Sequence, residues 1–412
     1  MRMKHRRAAL AVAATALAAG VGLSTATASV HGTKALTIVI WTDANRAPAV
    51  TKVADDWAAK NGATVKVISK DFGSIRQAVG TVAAADAPDV VLAASDWTGE
   101  LAANGLVQPL YPSAAVKKQF PSYTLDAFSY GTAVKKLYGI PVQVENIGLI
   151  VNTKLVKVPK TFAQLESSAL ALKKKNHLGF GICVQQGSGA DAYHMFPFFS
   201  GLGGYIFGVN KAGNLDPSDI GVANKKFLKN ASLIDKWNKE GLINSKVDYS
   251  TCDAAFTKGQ APYWVTGPWA VSDIKKAGIQ FKVIQIPKIV YPAVPFLGVN
   301  GVEVTKYAAA HGTDAAAKDL VLNYFSTPTA QTALAAAGGR APANTKAKAP
   351  DPVLAQFGAA AKGGVPVPNI PQMAQVWADL GQAWVRSTKG AGALPAKRSF
   401  SGAARAIAAK IG

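Results

Sequence analysis

The stretch from Ile140 to Asn152, Ile-Pro-Val-Gln-Val-Glu-Asn-Ile-Gly-Leu-Ile-Val-Asn, constrains this chain more than any other. Its Val, Ile and Leu content, following a Tyr138-Gly139 turn, predicts a largely buried β-strand, yet Gln143, Glu145 and Asn146 interrupt it. A carboxylate buried there without partners would cost several kcal/mol. Either Glu145 pairs internally, or the strand runs along a wet cleft where a ligand meets it. A segment passing between two lobes suits the second arrangement, because it is buried from its sides and open at one face. The stretch is therefore expected to be the hinge strand of a two-lobed protein.

The first residues are expected to lie outside the fold. Arg2, Lys4, Arg6 and Arg7 form a basic start, Ala8 to Leu23 is an Ala-rich apolar run, and Ala26-Thr27-Ala28 is a small-x-small cleavage pattern. Residues 1–28 are thus expected to be an export signal cut before Ser29. A membrane anchor would need about 20 strongly apolar residues. Arg6-Arg7 leaves both the general and the twin-arginine export routes open. The two cysteines, Cys183 and Cys252, lie far from the cleavage site, so no lipid-anchor Cys is expected, and the protein should be periplasmic or freely secreted. An oxidising compartment permits a disulfide between them, and two buried thiols are the alternative.

The remaining chain, 49% hydrophobic overall, can bury enough apolar surface for more than one lobe. The formal charge of +21 invites a nucleic-acid or anionic-surface reading. Its distribution argues otherwise. Lys117-Lys118, Lys135-Lys136, Lys173 to Lys175 and Lys225-Lys226 are scattered, with no basic and aromatic stripe, so no nucleic-acid partner is expected. The charge reads as a solubility and surface-association feature.

Before the hinge, strands expected at 36–41, 63–68 and 89–92 alternate with helices at 49–60, 75–85 and 98–104. That order implies a parallel sheet with helices on both faces, whose ligands sit at the strand ends Thr42 to Arg46 and Ala93 to Trp97. After the hinge a second unit follows, with helices at 161–175, 193–200, 225–239 and 252–258 and strands at 180–184, 261–266 and 281–286. Pro287, Pro292 and Pro295 mark a second crossing, followed by a strand at 301–305 and one long helix at 315–337. A Lys, Ala and Pro connector at 343–351 then leads to helices at 353–362, 371–387 and 402–411.

Five stretches place polar and aromatic residues at strand ends: Trp41 to Arg46, Asp96-Trp97, Gln143 to Asn146, Gly267-Pro268-Trp269, and Pro368 to Met373 leading into Trp377. A sugar presents hydroxyls that suit carboxylates, amides and Arg, and apolar C–H faces that suit Trp and Tyr. Trp57 and Trp384 lie within helices and are assigned to packing.

Taken with Pro88-Asp89-Val90-Val91, the Leu202 to Tyr205 run, Asp248-Tyr249-Ser250 and Pro295 to Val299, these stretches resemble the maltose/maltodextrin-binding proteins, extracellular solute-binding proteins of ABC importers. The resemblance runs in order from about residue 36 to 400, and Pro368 to Met373 is its most specific part. It implies an α/β, type II periplasmic-binding-protein fold: two parallel-sheet lobes joined by a hinge, with a ligand cleft between them. Residues 29–144 with 290–345 would form the first lobe, and 146–289 with 350–412 the second, hinged near 140–146, 287–295 and 343–351. Asn45 and Arg46 match polar sugar contacts, Asp96 a carboxylate contact, Glu145 the acidic residue of the hinge strand, and Tyr193, Trp269 and Trp377 aromatic platforms. The chain departs from the family pattern at Ala93, Gly381 and the Asn45-Arg46 pair. It also departs at Trp97, where the change adds a candidate stacking face.

The implied function is capture of a maltodextrin or cyclodextrin, or another oligosaccharide, by a monomer that delivers it to an ABC permease in the membrane. No cofactor, metal or catalysis is expected. The rival is a secreted hydrolase using Asp96 and Glu145 as an acid/base pair. Five dispersed His residues and the lack of a nucleophile motif weigh against it. A surface adhesin would instead bind acidic polymers in a salt-sensitive way.

Overall fold

Successive residues of β1 (Thr37–Thr42) point to opposite faces, and both faces are buried. Ile38 and Ile40 pack with Val90, Leu92 and the helix Ala47–Asn61, whereas Trp41 packs with Val91, Ala93 and Ile75 on the other side. Helices cover both faces, which is why the strand reads as one apolar run rather than an alternation. The computed structural model describes residues 36–131, 134–187, 189–349 and 351–412. The export signal expected over 1–28 lies outside the described residues.

Further strands follow in chain order: β2 (Thr64–Ser69), β3 (Val90–Ala94), β4 (Ser129–Tyr130), β5 (Lys136–Leu137), β6 (Gly139–Glu145), β7 (Gly148–Asn152), β8 (Cys183–Val184), β9 (Phe207–Val209), β10 (Leu215–Ile220), β11 (Tyr263–Thr266), β12 (Phe281–Ile284), β13 (Phe296–Val304), β14 (Ala341–Pro342) and β15 (Val365–Pro366). The larger sheet has the order β14-β6-β13-β3-β1-β2, with β15 on β13; a second sheet has the order β12-β7-β11-β8. The expected parallel order holds where β1 pairs with β2 and β3. The crossing strands join antiparallel: β13 beside β3 and β6, and β7 beside β11 and β12. Both sheets are therefore mixed.

The expected hinge strand is two strands, one in each sheet. β6 ends at Glu145 and β7 begins at Gly148, and between them Asn146 Nδ2 donates to the carbonyls of Ile147 and Phe357 at 3.1 and 2.9 Å. A strand cannot pair in two sheets without such a break. The chain passes between the sheets again from β12 to β13, and after β14 on its way to the helix Val353–Ala360.

Other differences from the sequence expectation have local causes. The helix expected over 315–337 is interrupted by a π-helical turn, Leu320–Phe325, and restarts at Pro328 under a Thr327 cap on the Ala330 N–H. The helix expected over 225–239 divides at Ala231. The one at 371–387 opens as a 3-10 turn, Pro371–Gln375, before Trp377–Thr388. The helix expected from 75 starts at Phe72, where the Asp71 side chain accepts from the Ser74 N–H. Cys183 on β8 is bonded to Cys252 in the helix Tyr249–Thr257, which excludes the free-thiol alternative.

Candidate functional site

The loop after β1 starts the site. Asp43 Oδ1 accepts from the backbone N–H groups of Asn45 and Arg46 at 3.0 and 3.2 Å, fixing the entry to the helix Ala47–Asn61, and Oδ2 meets Arg46 Nη1 at 2.5 Å. Arg46 is thereby turned inward. Its Nε donates to Gln143 Oε1 at 3.3 Å, its Nη2 lies 3.6 Å from Glu145 Oε2, and its guanidinium sits 4.7 Å from the Phe72 ring centroid. From the turn before β14, Arg340 Nε reaches the same Glu145 oxygen at 2.5 Å. Glu145 is thus paired internally, the first of the two arrangements that its strand allowed. Burial acts to raise its carboxyl, but Arg340 and Arg46 outweigh burial and hold it below the ordinary glutamate value. Two carboxylates and two guanidiniums share this buried network.

The second sheet's side supplies aromatic rings. Trp269 sits in the 3-10 turn Pro268–Ala270 that follows β11, where Pro268 presets the first residue. Its ring lies 5.3 Å from the Arg340 guanidinium and 5.7 Å, edge-on, from His194. Tyr193 and Trp377 flank Phe296 of β13, at 6.0 Å nearly parallel and 5.8 Å edge-on. Trp377 Nε1 donates to Asp96 Oδ2 at 3.0 Å, a bond from the second lobe's helix to the first lobe's strand end. Burial pushes the Asp96 carboxyl up to about 6.

Asp191 caps the helix Ala192–Gly201 through the His194 N–H and holds His194 Nδ1 at 2.8 Å and Gln185 Nε2 at 2.7 Å. Among the described residues, the Tyr193 hydroxyl and His194 Nε2 are buried without a hydrogen-bond partner. They stand beside the aromatic group as polar atoms still to be satisfied.

Arg46, Glu145, Trp269, Tyr193, Trp377 and Asp96 therefore converge on one seam between the sheets. Asn45 and Trp97 behave differently. Asn45 is exposed, joined to the site through its backbone. Trp97 is 6% exposed and packs under Phe72 with ring centroids 4.7 Å apart, so the expected open stacking face is covered by Phe72. Asp43, Phe72, Asp191, His194 and Arg340 were not singled out by the sequence reading. An Asp two residues before Tyr193, and a lone Arg after the Gly338-Gly339 helix stop, were the available signals. At Gly381 a Cβ would lie 2.9 Å from the Ala190 Cβ, which leaves no room for the Arg of the resembled family.

Two α/β sheets linked by crossing segments, with carboxylates, guanidiniums and aromatic rings lining their junction, define a solute-binding protein of the type II periplasmic fold. The chain belongs to the bacterial extracellular solute-binding protein family, which it matches over residues 52–361. It is similar to the galactooligosaccharide-binding protein of Bacillus subtilis, 28% identical over 357 residues, covering 82% of each chain. It is also similar to the maltodextrin-binding protein MdxE of the same organism, 28% identical over 372 residues, covering 85% of this chain and 84% of that one. Among solved structures, the Thermus thermophilus maltotriose binding protein bound with maltotriose superposes with a TM-score of 0.79 at 29% identity, over 91% of this chain and all of the other.

Proposed function

We propose that this protein captures a neutral oligosaccharide, of the maltodextrin or cyclodextrin type, in the seam between its two lobes and delivers it to an ABC permease. One observation carries the reading: the Asp43, Arg46, Glu145 and Arg340 network lies directly against the Trp269 ring. Hydroxyl-binding groups beside a stacking face are what a sugar ring requires. The names of the maltodextrin- and maltotriose-binding relatives support it. The galactooligosaccharide-binding relative favours a second reading, another oligosaccharide in the same seam.

In this reading residues 29–144 with 290–345 move as one lobe and residues 146–289 with 350–412 as the other. Sugar stacks on Trp269, Tyr193 and Trp377, and Asp96, Arg46 and Glu145 draw the first lobe over it. Closure follows because the solute contacts both lobes only when they are together, so it shifts the population toward that form. The protein acts as a binder rather than a hydrolase. Glu145, held ionised by two arginines, is a poor proton donor, which removes half of an acid/base pair. It acts as a monomer, exported through a signal over 1–28 and without a lipid-anchor Cys.

A titration of intrinsic Trp fluorescence against a panel of neutral oligosaccharides tests the proposal. Saturable quenching or enhancement with maltodextrins is expected, and labelled maltodextrins should be recovered uncut after long incubation. No response to any oligosaccharide would refute it.

A further inference from the structure

Asn369 stands in the motif that most resembles the maltodextrin binders, yet it belongs to neither the charged network nor the aromatic group. Its side-chain Nδ2 donates across the seam to three backbone carbonyls, those of Asp126, Ala127 and Ser129, at 3.0, 3.1 and 3.0 Å. These carbonyls lie at the end of the helix Ser122–Ala127 and just beyond it, where a helix leaves acceptors unpaired. At the same place the backbone of the two lobes comes into direct contact. A Cβ added at Gly99 would lie 2.2 Å from the Asn369 carbonyl oxygen and 2.9 Å from the Ile370 Cα, so only glycine admits this approach.

Both sides of the contact are rigidly mounted. Asn369 is followed by Pro371–Gln375, whose Met373 is buried in the second lobe's core with Val367 and Val376. The acceptor turn is held by Phe128, fully buried against Gly139 and Gly301 on the two central strands β6 and β13. Movement of one lobe relative to the other must therefore break the Asn369 bonds.

We propose that Asn369 is a latch that sets the affinity for every solute by stabilising the closed form, without touching the solute. This rests on the two-lobed closure of the proposed function. An amide N–H₂ facing three carbonyl oxygens is the isosteric opposite of a carboxylate there. Asn369→Asp would set an anion against the same three acceptors.

The test compares Asn369→Ala, Asn369→Asp and Gly99→Ala with the wild-type full chain, each first checked for an unchanged circular dichroism spectrum. Calorimetry with maltotriose and a longer maltodextrin should show Asn369→Ala weakened about 5- to 30-fold. The factor should be the same for both sugars, mostly through faster dissociation, with Asn369→Asp weakened further. X-ray scattering should show both Asn369 variants and Gly99→Ala with a more open envelope than the wild type at matched saturation. Unequal losses for the two sugars would overturn the latch in favour of direct solute contact, and unchanged affinity with unchanged scattering would overturn it outright. Should no oligosaccharide bind the wild type, the sugar reading fails, and unliganded scattering alone decides the latch: a more open envelope supports it and an unchanged one overturns it.

Discussion

Arg340 Nε lies 2.5 Å from Glu145 Oε2, and the same guanidinium stacks over Trp269 at 5.3 Å, so a single cation couples a crossing strand to the second lobe's aromatic surface. Both partners of the ion pair are buried, at 5% and 11% side-chain exposure. Breaking such a pair leaves a charge without compensation, which costs more than the pair itself is worth.

Arg340→Ala should therefore destabilise the protein by roughly 3–5 kcal/mol, since Arg46 remains 3.6 Å from the orphaned Glu145 and only partly compensates. Arg340→Lys keeps the charge but loses the planar stacking, and should fall in between. Urea unfolding followed by circular dichroism measures both. An unchanged midpoint for the alanine variant would show that the pair contributes nothing.

Trp269→Ala should weaken oligosaccharide binding by roughly 1–3 kcal/mol, the range for loss of a large aromatic contact at a binding centre. Trp377→Phe keeps a ring beside Phe296 but removes the N–H donated to Asp96, and should cost less than Trp377→Ala. Calorimetric titration separates the two effects. Equal losses for Phe and Ala at 377 would mean that the hydrogen bond, not the ring, carries the contact.

Glu303 makes stability depend on pH. Fully buried on β13, it accepts one hydrogen bond, from Thr98 Oγ1 at 2.7 Å, and burial pushes its carboxyl from 4.5 up to about 8. Between those values the unfolded chain releases a proton that the native chain keeps, so stability declines as pH rises through this interval. Glu303→Gln should match the wild type near pH 4 and exceed it at pH 8, by up to a few kcal/mol. Melting temperatures across that interval check it, and parallel curves for the two proteins would contradict it.

The disulfide closes a loop with a sequence separation of 69 between Cys183 and Cys252. A loop of that length restricts the unfolded chain by about 4 kcal/mol, so the double Cys→Ala variant should lose roughly 2–5 kcal/mol. Thermal unfolding with and without reductant provides the comparison. No loss on either route would place the bond's effect below measurable size.

Much of the architecture is legible along the chain. Ile38, Ile40, Val90 and Leu92 announce strands buried on both faces, and the Asp71, Thr161 and Asp248 caps mark helix starts, because each signal depends only on neighbours a few residues away. The polar interruption at Gln143 to Asn146 likewise locates the crossing, although the break that splits it between two sheets follows from pairing partners far away. Local periodicity was least informative where a helix is interrupted by packing, as at Leu320–Phe325.

The candidate site divides in the same way. Residue type alone brings out Glu145, Trp269 and Trp377, since a carboxylate in an apolar strand and a Trp at a strand end are unusual wherever the chain goes. Arg340 meets Glu145 across 195 residues and Trp377 meets Asp96 across 281, and no spacing rule reaches that far. Charge pairing and ring stacking act over a few ångströms of space, whatever the distance along the chain. Only the return of the crossing strands chose the arginine that neutralises Glu145, covered Trp97 with Phe72, and brought Asn369 onto the turn at 126–129.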